Sequence, residues 1–141
     1  MSVEERGYFA FDKTEGLEYI CPVEKGCTSP ERHTLTLDND GMMPINVHTF
    51  DCDTYIFDNK QLGKITLLDR QRKPYLSLEF DTPLVALWSP TKVHPDCPFV
   101  CIEPWYGRCD SVGYKGELKD KEWTQTLAGK ETFDAEYRII L

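Results

Sequence analysis

The feature that most constrains this chain is the period of its apolar residues, which recur at every second position in short bursts separated by turn formers. In Thr34-Leu35-Thr36-Leu37 apolar and polar side chains alternate one by one. Such a run lines the two faces of a strand and no single face of a helix. Similar β-prone runs occupy residues 8–11, 54–57, 64–68, 75–80, 84–88, 99–102 and 135–141. Between them lie Asp38-Asn39-Asp40-Gly41, Asp58-Asn59-Lys60 and Ser89-Pro90, residue types that bend the backbone or cap their own turns. Short strands at this spacing predict a β-sandwich or barrel. The best helical stretch, residues 44–50, is short and β-branched, so any helix is minor. Residues 90–98 read as a surface loop. No repeat, low-complexity segment or linker interrupts the pattern, and 141 residues suit one domain, so residues 1–141 are expected to form a single all-β unit.

Charge narrows the partners. A formal net charge of −8 repels the phosphate backbone that supplies most nucleic-acid affinity, and it disfavours anionic membranes equally. The apolar runs fall far short of the ~18 residues a membrane helix needs. The opening Met1-Ser2-Val3-Glu4-Glu5-Arg6 is charged with no apolar stretch behind it, which is not the pattern of a secretory signal and predicts a cytoplasmic chain. Cys21, Cys27, Cys52, Cys97, Cys101 and Cys109 could pair in fifteen ways, but a chain without a secretory signal is expected to keep them reduced. No CxxC pair occurs, and His33, His48 and His94 form no spaced pair beside the cysteines, so no metal is expected.

The densest chemistry lies in Pro98-Phe99-Val100-Cys101-Ile102-Glu103-Pro104-Trp105-Tyr106-Gly107-Arg108-Cys109-Asp110. Glu103 ends an apolar run, precedes a proline expected to stop the ladder, and stands beside two large aromatics. A carboxylate so placed needs a partner, as a general base or a sugar-binding group does. Trp105 and Tyr106 offer flat apolar faces with a polar edge, a surface on which sugar rings stack. The plain alternative is an ion pair of Glu103 with Arg108 or Arg70, with both aromatics in the core.

This segment, followed by Gly116-Glu117-Leu118-Lys119-Asp120-Lys121-Glu122, resembles the aldose 1-epimerase family of the galactose mutarotase-like superfamily, in its bacterial branch associated with lactose and galactose genes. Leu84-Val85-Ala86-Leu87-Trp88-Ser89, the opening Tyr8-Phe9-Ala10-Phe11-Asp12-Lys13-Thr14-Glu15-Gly16-Leu17-Glu18-Tyr19 and the closing residues 133–141 extend the resemblance over nearly the whole chain. The resemblance implies a partial galactose mutarotase-like β-sandwich, about the C-terminal half of the family's supersandwich. It puts Glu103 at the general base that takes the anomeric proton, and Asp53 at an aspartate that holds sugar hydroxyls. The family's acid histidine and its sugar-gripping arginine belong before residue 1. The implied partner is an aldose, glucose- or galactose-like and with or without a phosphoryl group, and the reaction needs no metal or other cofactor. A turn-capping role remains the simpler account of Asp53.

Three expectations follow for the chain: an aldose 1-epimerase impaired without an N-terminal half, a non-catalytic carbohydrate-binding module keeping Glu103, Trp105 and Tyr106 as a platform, or a remnant that dimerises to cover bare sheet edges. Lys115, Lys119 and Lys121 alternate with Glu117, Asp120 and Glu122 in an expected polar loop. Trp88 is expected in the core, and Trp123 beneath that loop.

Overall fold

A computed structural model of the chain describes residues 5–141; residues 1–4, the first part of the Met1–Arg6 opening, lie outside the described residues. In chain order the strands are β1 (Gly7–Phe11), β2 (Glu18–Tyr19), β3 (Pro22–Glu24), β4 (Cys27–Thr28), β5 (His33–Thr34), β6 (Met42–Ile45), β7 (Thr54–Phe57), β8 (Lys64–Leu68), β9 (Pro74–Phe80), β10 (Leu84–Trp88), β11 (Cys101–Trp105) and β12 (Tyr137–Ile140). The only helical pieces among the described residues are two single 3-10 turns, Pro90–Lys92 and Leu118–Asp120. The fold is therefore all-β.

A five-stranded sheet runs β12-β9-β8-β1-β6 and a three-stranded sheet runs β11-β10-β7, each with antiparallel neighbours. Alternation builds the layer between them. Phe9 and Phe11, Ile65 and Leu67, and Leu78 and Phe80 reach in from the larger sheet, and Phe57, Val85 and Leu87 meet them from the smaller. Each such buried side chain contributes about 1.5–3 kcal/mol by leaving water. Strand β10 is apolar throughout because both its faces are covered. Val85 and Leu87 join the inter-sheet core, while Leu84 and Ala86 join Ile20 and Ile56 beneath Trp105 and Trp123.

Several expectations shift. Of residues 34–37 only Thr34 is in a strand; Leu35 and Leu37 still pack on the core, so the alternation reports burial where the ladder has already ended. The stretch 44–50 is no helix: Pro44 and Ile45 close β6, and hydrogen-bonded turns through Asn46, His48 and Phe50 follow. The run expected at 99–102 is paired over Cys101–Trp105, and Pro104 does not stop the ladder but lies within it opposite Val85. Strand β11 is the edge of its sheet, the position in a ladder where a proline is tolerated. The short strands β2, β3 and β4 and strand β6 lack the alternating signature and were not expected.

Gly7 opens β1 with φ +157°, and a Cβ there would stand 2.4 Å from the carbonyl oxygen of Leu68. That oxygen belongs to the neighbouring strand and cannot swing away. Gly7→Ala is expected to lower stability by about 1–3 kcal/mol, read as a drop in the urea midpoint at unchanged slope. An unchanged midpoint would show that the β1–β8 edge yields freely.

Candidate functional site

The smaller sheet turns one face to the core and the other outward. On β11 the outward residues are Cys101, Glu103 and Trp105, in register with Trp88, Ala86 and Leu84 of β10. Beyond β10 the same rung continues through Ile56 to Ile20, which exchanges two backbone hydrogen bonds with Ile56 at 3.0 Å each. Glu103 thus stands at one end of a rung whose other members are apolar. Period-2 geometry alone puts it there, two residues from Trp105 and two from Cys101.

The indole Nε1 of Trp105 donates to Oε2 of Glu103 at 3.1 Å, and the ring packs against the Ile20–Ile56–Leu84–Ala86 cluster. The tryptophan therefore has two tasks: its body covers the outer cluster and its N–H orients the carboxylate. Burial, and then the adjacent Glu103 charge, hold the Cys101 thiol above its ordinary value. Arg108, offered by the sequence as an ion-pair partner for Glu103, pairs with Glu122 instead.

The structure does not gather all four expected residues. Tyr106 follows the strand, its hydroxyl donates to the Asp81 carbonyl at 3.4 Å, and its ring meets Phe133 edge-on at 4.7 Å. Asp53 sits in the turn before β7 with φ +77°, accepting from the Thr54 hydroxyl at 2.7 Å. Across β10, Glu103 is in register with Ile56 of β7, two strand spacings or about 10 Å away, and Asp53 lies three residues before Ile56, so Asp53 and Glu103 are farther apart still. Trp88 is half-buried against Phe99 at 6.4 Å. Trp123 lies over the outer cluster, a position its sequence context did not reveal.

None of the three histidines is shown bonded to Glu103. His33 packs on Tyr19 at 5.4 Å, and Tyr19 belongs to the inter-sheet side. The Nδ1 of His48 lies 3.1 Å from Asp51 in an exposed pair, and His94 lies in the exposed loop after Lys92. Among the described residues no group of three His, Cys, Asp or Glu side chains could hold a metal ion. No helix there is long and apolar enough to cross a membrane. All six cysteines are free thiols.

Beside Asp53, the Cys21 thiol hydrogen-bonds Cys52, which holds Cys52 below its ordinary value, and the Tyr55 hydroxyl adds to the effect. The same bond, with burial, pushes Cys21 up. A lowered thiol carries more thiolate at a given pH, and the thiolate is the nucleophile. Iodoacetamide is therefore expected to label half-buried Cys52 well before buried Cys21, and to do so at lower pH than it labels free cysteine. Peptide mass spectrometry against pH reads this directly, and equal labelling of the two would contradict the pairing.

No family model matches the sequence. Protein LacX of Lactococcus lactis subsp. lactis, in its plasmid and chromosomal forms, is 27% and 26% identical to this chain over 119 residues. Those residues are 84% of this chain and 39% of each relative, so the chain spans about two-fifths of the length of the curated relatives it matches. A galactose mutarotase related enzyme from Lactobacillus acidophilus superposes over 98% of the chain with TM-score 0.78 and 24% identity. A galactose mutarotase-like protein from Lactobacillus casei superposes over 96% with TM-score 0.72 and 17% identity. The alignment takes in 45% of each of those structures.

Proposed function

We propose that this chain, whose all-β fold is that of about 45% of a galactose mutarotase-like protein, carries the general-base side of an aldose 1-epimerase site, with Glu103 as the base. The observation that supports this most is Glu103 itself: a carboxylate on the outward face of a three-stranded sheet, set among apolar neighbours and oriented by the Trp105 indole. An oriented acceptor in an apolar setting suits proton abstraction from a sugar hydroxyl.

The chemistry needs little else. Glu103 takes the proton of the anomeric hydroxyl, the C1–O1 bond becomes a carbonyl, and the C1–O5 bond breaks with its electron pair going to O5. An acid protonates O5, C1 turns about the C1–C2 bond, and the ring recloses on the other face with the protons returned. Trp105 orients the base beside the aldose; Asp53 and Tyr106, which are set apart from Glu103, make no contact with the same sugar ring in this scheme. With no histidine shown at Glu103, the acid comes from elsewhere: a complementing N-terminal half or a second copy of the chain. Residues 1–141 form one domain in this scheme, acting in the cytoplasm on a glucose- or galactose-like hexose.

A second reading has an observation of its own. The Trp105 indole already occupies Oε2 of Glu103, an arrangement that suits a binding module holding sugar without turning it over. Exchange NMR between the α and β anomeric protons of glucose and galactose separates the two. Acceleration above buffer by the folded chain supports the epimerase; line broadening or shifts without acceleration support the binding module and overturn autonomous catalysis.

A further inference from the structure

A polar cavity of about 210 Å³ lies beside Ile20, the member of the Glu103 rung farthest from that carboxylate; Ser29, Arg32, Arg108, Ser111 and Glu122 line it. Its centre is Arg108, whose side chain is only 6% exposed. Nη1 donates to the Thr28 hydroxyl and the Cys109 carbonyl, both at 2.9 Å, and to the Ser111 hydroxyl at 3.3 Å. Nη2 donates to Glu122, while Nε is buried with no partner. Nε and Nη2 form one edge of the guanidinium fork, the edge that grips both oxygens of a carboxylate or phosphoryl group. Here that edge is half used, and an orphaned buried donor is a costly thing to keep.

The group on the used half is an unusual occupant. Glu122 belongs to the segment that follows β11, and its side chain is 71% exposed although its partner is nearly sealed. The second cation of the cavity, Arg32, is held by Asp58 through two bonds of 2.8 and 2.7 Å, and Asp58 is 3% exposed. Arg32 itself remains 37% exposed, with the Glu122 charge among those acting on it. Ser29 accepts from the Glu31 N–H and keeps its own hydroxyl proton to donate.

We propose that this cavity binds one anionic oxygen group, carboxylate or phosphoryl, gripped by Nε and Nη2 of Arg108 with Arg32 as the second cation, and that Glu122 stands in for that group when the ligand is absent. The anion replaces an exposed carboxylate that uses one donor with a group that uses both. Arg108 is held on its other edge by Thr28, Cys109 and Ser111, so the gripping edge is preorganised and does not have to be assembled on binding.

The test uses the full chain, ¹⁵N-labelled, with the arginine Nε–Hε resonances followed by NMR at constant ionic strength. Inorganic phosphate is expected to shift the Arg108 Nε–Hε resonance selectively and saturably. Glu122→Gln, a change at an exposed side chain, removes the internal competitor and is expected to tighten phosphate binding roughly two- to fivefold, the weight of an exposed ion pair. Galactose 6-phosphate and galacturonate, run beside neutral galactose, identify the source of the anion. Tighter binding of either than of inorganic phosphate assigns an anionic sugar, and equal binding assigns a free anion. An Arg108 resonance unmoved by any of the anions, or affinity unchanged or weaker in Glu122→Gln, overturns the proposal. The readout does not involve anomer exchange, so it stands or fails apart from the role of Glu103.

Discussion

Glu103→Gln is expected to lower the enzyme-dependent anomer exchange rate by about 10²- to 10⁴-fold, the usual contribution of a positioned general base. At the upper end that is about 5 kcal/mol of transition-state stabilisation from one oxygen. Glutamine keeps the size and planarity of the side chain, and its carbonyl oxygen can still accept from the Trp105 indole, so the fold is expected to be unchanged by circular dichroism. What it loses is the ability to take the anomeric proton. Trp105→Phe makes the complementary change: the carboxylate stays and its orienting N–H goes. Its expected loss in rate is smaller, and its cost falls partly on stability, because the ring also covers Ile20, Ile56, Leu84 and Ala86. A Glu103→Gln protein that exchanges anomers as fast as the parent would remove Glu103 from the chemistry, whatever the fold.

The sequence made some of this legible for a plain physical reason. Period-2 alternation is a local property, so β7, β8 and β10 fall on the expected residues, and β1, β9 and β12 differ only at their ends. Where burial and pairing part company the pattern misleads, as at Leu35 and Leu37, which are apolar for the core and not for a ladder. Pro104 shows a related limit. Proline excludes a central strand, but only the sheet order reveals that β11 is an edge. The outward placement of Glu103 beside Trp105 could be anticipated, since two residues on one strand share a face. The contacts of Tyr106 with Asp81 and Phe133 and the separation of Glu103 from Asp53 could not, because these depend on which segments adjoin. The Arg108 cavity was wholly hidden: it exists because Thr28 meets a residue 80 positions away, through a parallel bridge to Ser111 that no local pattern encodes.

The two sheets also make a mechanical prediction. Phe9 is fully buried in β1 of the five-stranded sheet, stacked near Phe11 at 6.5 Å and edge-on to Phe50 at 6.4 Å. Phe9→Ala is expected to cost about 3–5 kcal/mol, the transfer of the ring plus the cavity it leaves. That is a large share of the 5–15 kcal/mol typical of a whole domain. All three tryptophans lie on the other side of the molecule: Trp88 and Trp105 on the three-stranded sheet and Trp123 over its outer face. Tryptophan fluorescence therefore reports unfolding of a sheet that does not contain Phe9. If Phe9, Phe57, Val85 and Leu87 form one core, as their packing implies, Phe9→Ala moves the fluorescence transition and the far-ultraviolet circular dichroism transition together in urea. Coincident transitions, both displaced, mean that residues 1–141 fold as one cooperative unit and hold Glu103 in place without further chain. If the tryptophan transition stayed put while the circular dichroism transition moved, the smaller sheet would be folding independently of the larger. The Glu103 face would then rest on its own outer cluster of Ile20, Ile56, Leu84 and Ala86, a base far too small to fix a catalytic carboxylate.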